Sequence, residues 1–267
     1  MNNDTPRDKH APRKRFGQHF LHDPNVIDRI VRAIAPQSAP TLVEIGPGLG
    51  AITAPLLQQA KRLHVVELDR DVIPLLQDHC AGLGELIVHQ VDALRFDFQT
   101  LATAPQQLRV VGNLPYNITT PLLFHLIDQH TVIEKMIFMV QKEVADRICA
   151  TANDDDYGRL SVMVQYRCKT EKLFHVGPGA FRPPPKVDSA VIRLTPHRPR
   201  PYVANDEILF GKLVNQAFSQ RRKTLRNAIK LFLTADQIAN LDIDPTARPE
   251  TLTVEQFVRL SNATQHA

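Results

Sequence analysis

Apolar residues recur along this chain in two periods, and the change from one to the other divides it. Short apolar runs predict five strands: "TLVEIG" (41–46) and "RLHVVELD" (62–69), which read as buried strands, then "ELIVHQVDAL" (85–94), "LRVVGNLP" (108–115) and "IEKMIFMVQ" (133–141). Between them, "AITAPLLQQAK", "RDVIPLLQDHC", "TTPLLFHLIDQ" and "KEVADRICA" carry helical spacing, and "GRLSVMVQYRC" predicts a further helix. A first helix is expected from Asp23 as N-cap and Pro24 at its first position, with Val26, Ile27, Ile30, Val31 and Ile34 on one face. Thr119 or Thr120 is expected to cap the helix after "GNLPYNI". "KLFHV" and "DSAVIRLTP" predict two closing strands with no room for a helix between them, which suits an antiparallel pair. Strand–helix alternation of this kind predicts a three-layer, mostly parallel α/β domain.

The texture changes near residue 200. "PHRPRP" (196–201) reads as a hinge, and no strand pattern follows it. Leu225, Ala228, Ile229 and Phe232 share one helical face and Arg222, Arg226 and Lys230 another, while Thr253 and Gln256 have capping-box spacing. A small all-helical domain is therefore expected to close the chain.

Composition changes this picture little, but charge placement changes it more. The net charge of +4 is modest, yet residues 193–232 hold nine Lys and Arg against Asp206 and Glu207, and residues 7–15 hold five against Asp8. Two basic blocks on an otherwise balanced chain suit a polyanionic partner as well as a solvated surface. The three cysteines are far apart with no CxxC pair, which fits neither a disulfide framework nor a zinc site. With a polar N-terminus and no run of about 18 apolar residues, no secretory signal and no membrane span are expected, and the cytoplasm is the expected compartment.

Five stretches could carry chemistry. In "VEIGPGLG", Gly46, Gly48 and Gly50 follow a buried strand and open a helix, which lets backbone approach a ligand. Glu67, 21 residues beyond Gly46 at the next strand end, is placed to accept from ribose hydroxyls. Ala51 stands where a dinucleotide fingerprint would continue, Glu44 suits a cationic cofactor, and Asp92 could accept from an adenine amine. These favour S-adenosylmethionine over NAD, although an ordinary strand–turn–helix is the plainer alternative. "NLPY" (Asn113, Leu114, Pro115, Tyr116) ends the fourth strand. An amide oxygen and a proline-held carbonyl there can accept from an exocyclic NH2 while Tyr116 stacks on a base. The alternative is a simple turn. "AFRPPPKVDSAV" is a rigid loop that would present Phe181 if it reached the same rim, or pack it beneath the loop if not. "FSQRRKTLRNAIK" reads as a basic helix facing phosphates. "KRFGQHFLHD" mixes Phe16, Gln18, His19 and Phe20 and could close over a cofactor; His19 and His22 lack acidic or Cys partners, so no metal is assigned.

Taken together, "GQHFL", "EIGPGLGAIT", "GNLPYNITTPLL", "FRPPPKVDSAV", "FSQRRKTLRN" and "RPETLTVEQF" resemble the ribosomal RNA adenine N6,N6-dimethyltransferase family in its bacterial small-subunit branch, from about Arg15 to Leu260. Residues 1–14, outside that match, read as a disordered basic tail. The resemblance implies a Rossmann-like class I methyltransferase domain (15–200) with a seven-stranded sheet, and a helical RNA- and ribosome-binding domain (201–267). It implies S-adenosylmethionine held near Gln18, His19, Leu21, Gly46, Gly48, Glu67, Leu68, Asp92, Ala93 and Asn113. Catalysis would fall to Asn113, Leu114, Pro115, Tyr116 and Phe181, and RNA contact to Arg221, Arg222, Lys223, Arg226 and Lys230. The implied substrate is a pair of adjacent adenines in the 3′-terminal hairpin loop of 16S rRNA, within an assembling 30S subunit, approached by a monomer. His19 departs from the Asn of many members, which leaves a side-chain contact there open. The rival readings are a large-subunit adenine dimethyltransferase, a non-catalytic assembly factor and an NAD-dependent oxidoreductase.

Overall fold

The computed structural model describes residues 20–220 and 223–264. The central sheet takes its strands from the apolar runs: β2 (Thr41–Ile45), β3 (Arg62–Glu67), β4 (Glu85–Gln90), β5 (Leu108–Asn113), β6 (Ile133–Gln141), β7 (Cys168–Val176) and β9 (Ser189–Pro196). Their order is β4-β3-β2-β5-β6-β9-β7, and β2–β3, β3–β4, β2–β5 and β5–β6 all pair in parallel. A separate two-stranded sheet joins β1 (Phe20–Leu21) to β8 (Phe181–Arg182) in antiparallel register.

The helices α2 (Thr53–Ala60), α3 (Ile73–His79) and α4 (Thr119–Asp128) are the crossovers β2→β3, β3→β4 and β5→β6. From β2 the chain winds outward one way through β3 and β4, and from β5 the other way through β6. Right-handed crossovers then place α2 and α3 on one face and α4 on the other. Both faces are covered, which is why Leu42, Val43, Ile45, Val65, Val66, Val110, Val111, Ile137 and Phe138 are buried without alternation. The winding reverses between β2 and β5, so a crevice opens beyond their carboxyl ends.

The helix α1 (Pro24–Ile34) begins as expected, with Asp23 Oδ1 accepting from Asn25 N (2.8 Å) and Val26 N (3.2 Å). Its far end is held by Arg109, 1% exposed, whose guanidinium donates to the Ile34 carbonyl (2.8 Å) and Ala35 carbonyl (2.6 Å) and to both Glu134 oxygens. That bond set satisfies two orphan helix carbonyls and compensates a charge deep under the sheet.

The chain forms two compact units, and they do not follow a single cut at residue 200. The first holds the described residues through Gln141 together with Phe174–Val191; the second holds Lys142–Leu173 and the chain from Ile192 onward. In the second, α5 (Lys142–Cys149) and α6 (Arg159–Gln165) belong with α7 (Glu207–Ser219), α8 (Leu225–Ala228), α9 (Ala235–Ala239) and α10 (Val254–Ala263). Its core joins Tyr157, Val162 and Tyr166 to Phe210, Leu213, Val214, Ile229 and Phe257. Burying those two tyrosines, which precede the hinge by thirty residues or more, is what moves the boundary.

Two further expectations need correction. The run "GRLSVMVQYRC" is helical only through Gln165, and β7 already begins at Cys168. "FSQRRKTLRNAIK" is not one helix: α7 stops at Ser219, Thr224 is extended (φ −64°, ψ 156°), and α8 is four residues long. Leu225, Ala228 and Ile229 are buried as expected, but the face supposed to align Arg222, Arg226 and Lys230 does not continue through the break.

Candidate active site

The glycine turn leaves the carboxyl end of β2. Gly46, Gly48 and Gly50 adopt φ of +65°, +54° and +89°, where a side chain would be strained. A Cβ on Gly46 would come within 3.9 Å of the Asn113 carbonyl oxygen and 4.0 Å of the Pro115 ring. The glycine turn and the Asn-Leu-Pro-Tyr segment therefore face each other directly across the β2/β5 crevice.

At the neighbouring strand ends, Glu67 accepts from the backbone N–H of Asp69 (2.8 Å) and of Gly48 (3.4 Å). Its carboxylate both locks the glycine turn and keeps lone pairs for a ligand hydroxyl. Burial raises its pKa, opposed by those backbone donors. Leu68, next along, is 53% exposed, an apolar side chain on the rim that suits the flat face of an adenine. Asp92 Oδ1 accepts from Leu94 N (2.9 Å), which orients the carboxylate, and Ala93 beside it is buried.

Glu44 lies deeper than the other strand-end carboxylates. It is 1% exposed, and burial pushes its pKa up to about 8, with the Thr53 hydroxyl opposing and the Glu67 charge assisting. Glu44 Oε2 has no hydrogen-bond partner among the described residues. A carboxyl so fully desolvated favours its neutral form while no cation stands beside it.

Asn113 closes β5 opposite Met139 of β6. Leu114, 1% exposed, donates its N–H to the Met139 carbonyl at 3.0 Å. The Pro115 carbonyl accepts from Thr119 Oγ1 (3.0 Å) and Ile118 N (3.2 Å). Thr119 thus stands inside α4 as its first residue and ties the turn from there, instead of capping the helix. Tyr116 is half-buried, and its hydroxyl lies 3.0 Å from Ser189 Oγ, at the head of β9.

The β1–β8 pair brings two more stretches in. Leu21, buried, pairs with Phe181, and the Phe20 ring lies 3.5 Å from the position a Gly48 Cβ would take. Phe181 is only 2% exposed, so it is not presented to solvent as one of its two readings had it. The loop's prolines do not project it, because the two-residue strand turns its ring inward. Gln18 and His19, like Arg221 and Arg222, lie outside the described residues. Lys223, Arg226 and Lys230 are exposed in the second unit. Neither the place of Ser189 nor the burial of Glu44 is visible in the sequence. A serine in a strand leaves no local signal, and desolvation depends on the packing above it.

The glycine turn at a β2/β5 switch point, the carboxylate at the next strand end and the exposed apolar rim fit an adenosine-bearing cofactor. With the strand order, they define a Rossmann-like class I methyltransferase. The ribosomal RNA adenine dimethylase family matches residues 9–266, and the chain belongs to that family. Ribosomal RNA small subunit methyltransferase A of Pseudomonas aeruginosa is 55% identical over 254 residues, covering 95% of each chain. A dimethyladenosine transferase from Plasmodium falciparum superposes with a TM-score of 0.77 at 28% identity, over 91% of this chain and 96% of that one. The 23S rRNA methyltransferase ErmE shares the fold (TM-score 0.73, 23% identity, 92% of this chain and 99% of that one). Among the described residues no three His, Cys, Asp or Glu side chains gather as a metal site, and no helix is long and apolar enough to cross a membrane.

Proposed function

We propose that this enzyme dimethylates N6 of two adjacent adenines in the 3′-terminal hairpin loop of 16S rRNA, acting in the cytoplasm as a monomer on the assembling small subunit. The observation that carries this reading is the approach of the glycine turn to the Asn-Leu-Pro-Tyr segment, the Asn113 backbone carbonyl and the Pro115 ring lying within about 4 Å of where a Gly46 Cβ would stand. S-adenosylmethionine, when bound, supplies an electrophilic methyl on a sulfonium. Glu67 would accept from its ribose hydroxyls, Asp92 from its adenine amine, and Leu68 would pack on its base. Gly48, Leu21 and Ala93 would line the same cradle, with Gln18 and His19 closing over it.

The adenine N6 lone pair is delocalised into the ring, so it is a weak nucleophile. Accepting its N–H bonds at the Asn113 amide oxygen and the Leu114 carbonyl favours a pyramidal nitrogen with its lone pair free. Tyr116 supports the flipped base by stacking, worth about 1–3 kcal/mol. Phe181, packed beneath the loop, would back that platform. No side chain needs to act as a strong base, because the proton leaves only after nitrogen becomes cationic. Positioning and exclusion of water therefore carry most of the rate. Lys223, Arg226 and Lys230, with Arg221 and Arg222, would meet the RNA backbone.

The test is transfer of tritiated methyl onto small subunits from a strain lacking the modification, followed by nucleoside analysis. Labelled N6,N6-dimethyladenosine in 16S rRNA is expected. Label confined to large-subunit rRNA would replace this reading with the macrolide-resistance type of activity, and no label would leave only an assembly role.

A further inference from the structure

The Asn113–Tyr116 segment is tied at successive points, and one tie comes from a strand remote in sequence. Leu114 is held through its N–H and Pro115 through its carbonyl. The Tyr116 ring is gripped at its far end by Ser189 Oγ, 3.0 Å from the phenol oxygen. Ser189 is 1% exposed and heads β9, so its own position is set by the sheet. A tyrosine side chain swings about two torsions. With the backbone restrained beside Pro115, a hydrogen bond at the para position fixes where the far end of the ring lies and so removes its swing about the first torsion, leaving rotation about the ring's own axis to the packing around it.

We propose that Ser189 is a positioning residue that sets the Tyr116 ring as a stacking platform, and that the second methyl transfer depends on it more than the first. The proposal rests on Tyr116 being that platform. Unmodified N6 has two N–H groups with which to find the Asn113 and Leu114 acceptors. After one transfer only one N–H remains and the amine is bulkier. Less of its orientation then comes from hydrogen bonds and more from the face on which the base rests. A ring free to tilt would therefore penalise the step from monomethyl to dimethyl adenine.

Single-turnover methylation of unmodified small subunits by Ser189→Ala and Tyr116→Phe tests this, with mono- and dimethyladenosine quantified separately. Each variant should slow the second transfer by about fivefold or more, the scale of one hydrogen bond. The first transfer should change less, monomethyladenosine should accumulate, and affinity for S-adenosylmethionine should stay at the wild-type value. The double variant should be no slower than the worse single one. Wild-type rates for both steps, equal slowing of both steps, or fully additive effects would each overturn the proposal. Tyr116→Phe removes only a hydroxyl from a half-buried ring, so the result stands even if Ser189→Ala folds poorly. Tyr116→Ala separates the two ideas. If it methylates normally, stacking on Tyr116 is wrong; if it is inactive while Ser189→Ala and Tyr116→Phe behave as wild type, only the role of Ser189 falls.

Discussion

The segment around Asn113 and the segment around Lys223 treat polar groups in opposite ways. At the first, Leu114, Pro115 and Tyr116 are each bonded to a partner at 3.0–3.2 Å, and the nearby Glu44 is buried and mostly neutral. At the second, the helix breaks after Ser219, and Lys223, Arg226 and Lys230 stand exposed. A group that must meet one atom of one base needs its geometry over-determined. A cation that meets a phosphate backbone needs only charge in reach, and exposure keeps it solvated until it binds.

The largest effect that would break this contrast is at Asn113. Asn113→Ala should reduce methyl transfer by about 10²–10³-fold, the scale seen when a preorganised polar contact to a reacting group is removed. Cofactor binding by equilibrium dialysis should change little, and retained dimethylation would place the amine acceptor elsewhere. Next, Lys223→Ala, Arg226→Ala and Lys230→Ala combined should weaken binding to small subunits without changing cofactor affinity. The slope of log affinity against log salt should become shallower by about 2–3, near one per lost phosphate contact. An unchanged slope would leave these cations as a solvated surface.

The smallest effect concerns pH. Because the folded pKa of Glu44 is raised from 4.5 to about 8, the native protein keeps a proton there that the unfolded chain releases above pH 4.5. The Glu44 contribution to stability is therefore fullest below that pH and falls as pH climbs toward 8. Glu44→Gln should flatten this decline and melt higher than wild type at pH 9 by a few degrees. Parallel melting curves from pH 5 to 9 would show that Glu44 is already ionised in the fold.

Much of the scaffold could be read from local pattern. The strands from 41 to 141 fall where the apolar runs put them, and Asp23 caps α1 as expected. Thr253 and Gln256 form the capping box their spacing implies, at 3.2 Å and 2.8 Å. Such features depend on residues a few positions apart. The glycine turn and Glu67 were also legible, because strand ends in a parallel sheet converge on one rim. The break after Ser219 was not: apolar periodicity at 225–232 suits a helix, but Leu225 and Arg226 instead give their N–H groups to the Ala247 and Pro245 carbonyls.

Periodicity, turn chemistry and spacing settle which residues become strands, where helices start and which side chains share a strand end, since each is a property of neighbours along the chain. The inward turn of Phe181, the neutral state of Glu44, the grip of Ser189 on Tyr116 and the grouping of α5 and α6 with the later helices came from packing. Burial and desolvation are set by which distant segments cover a residue, and no local pattern encodes that.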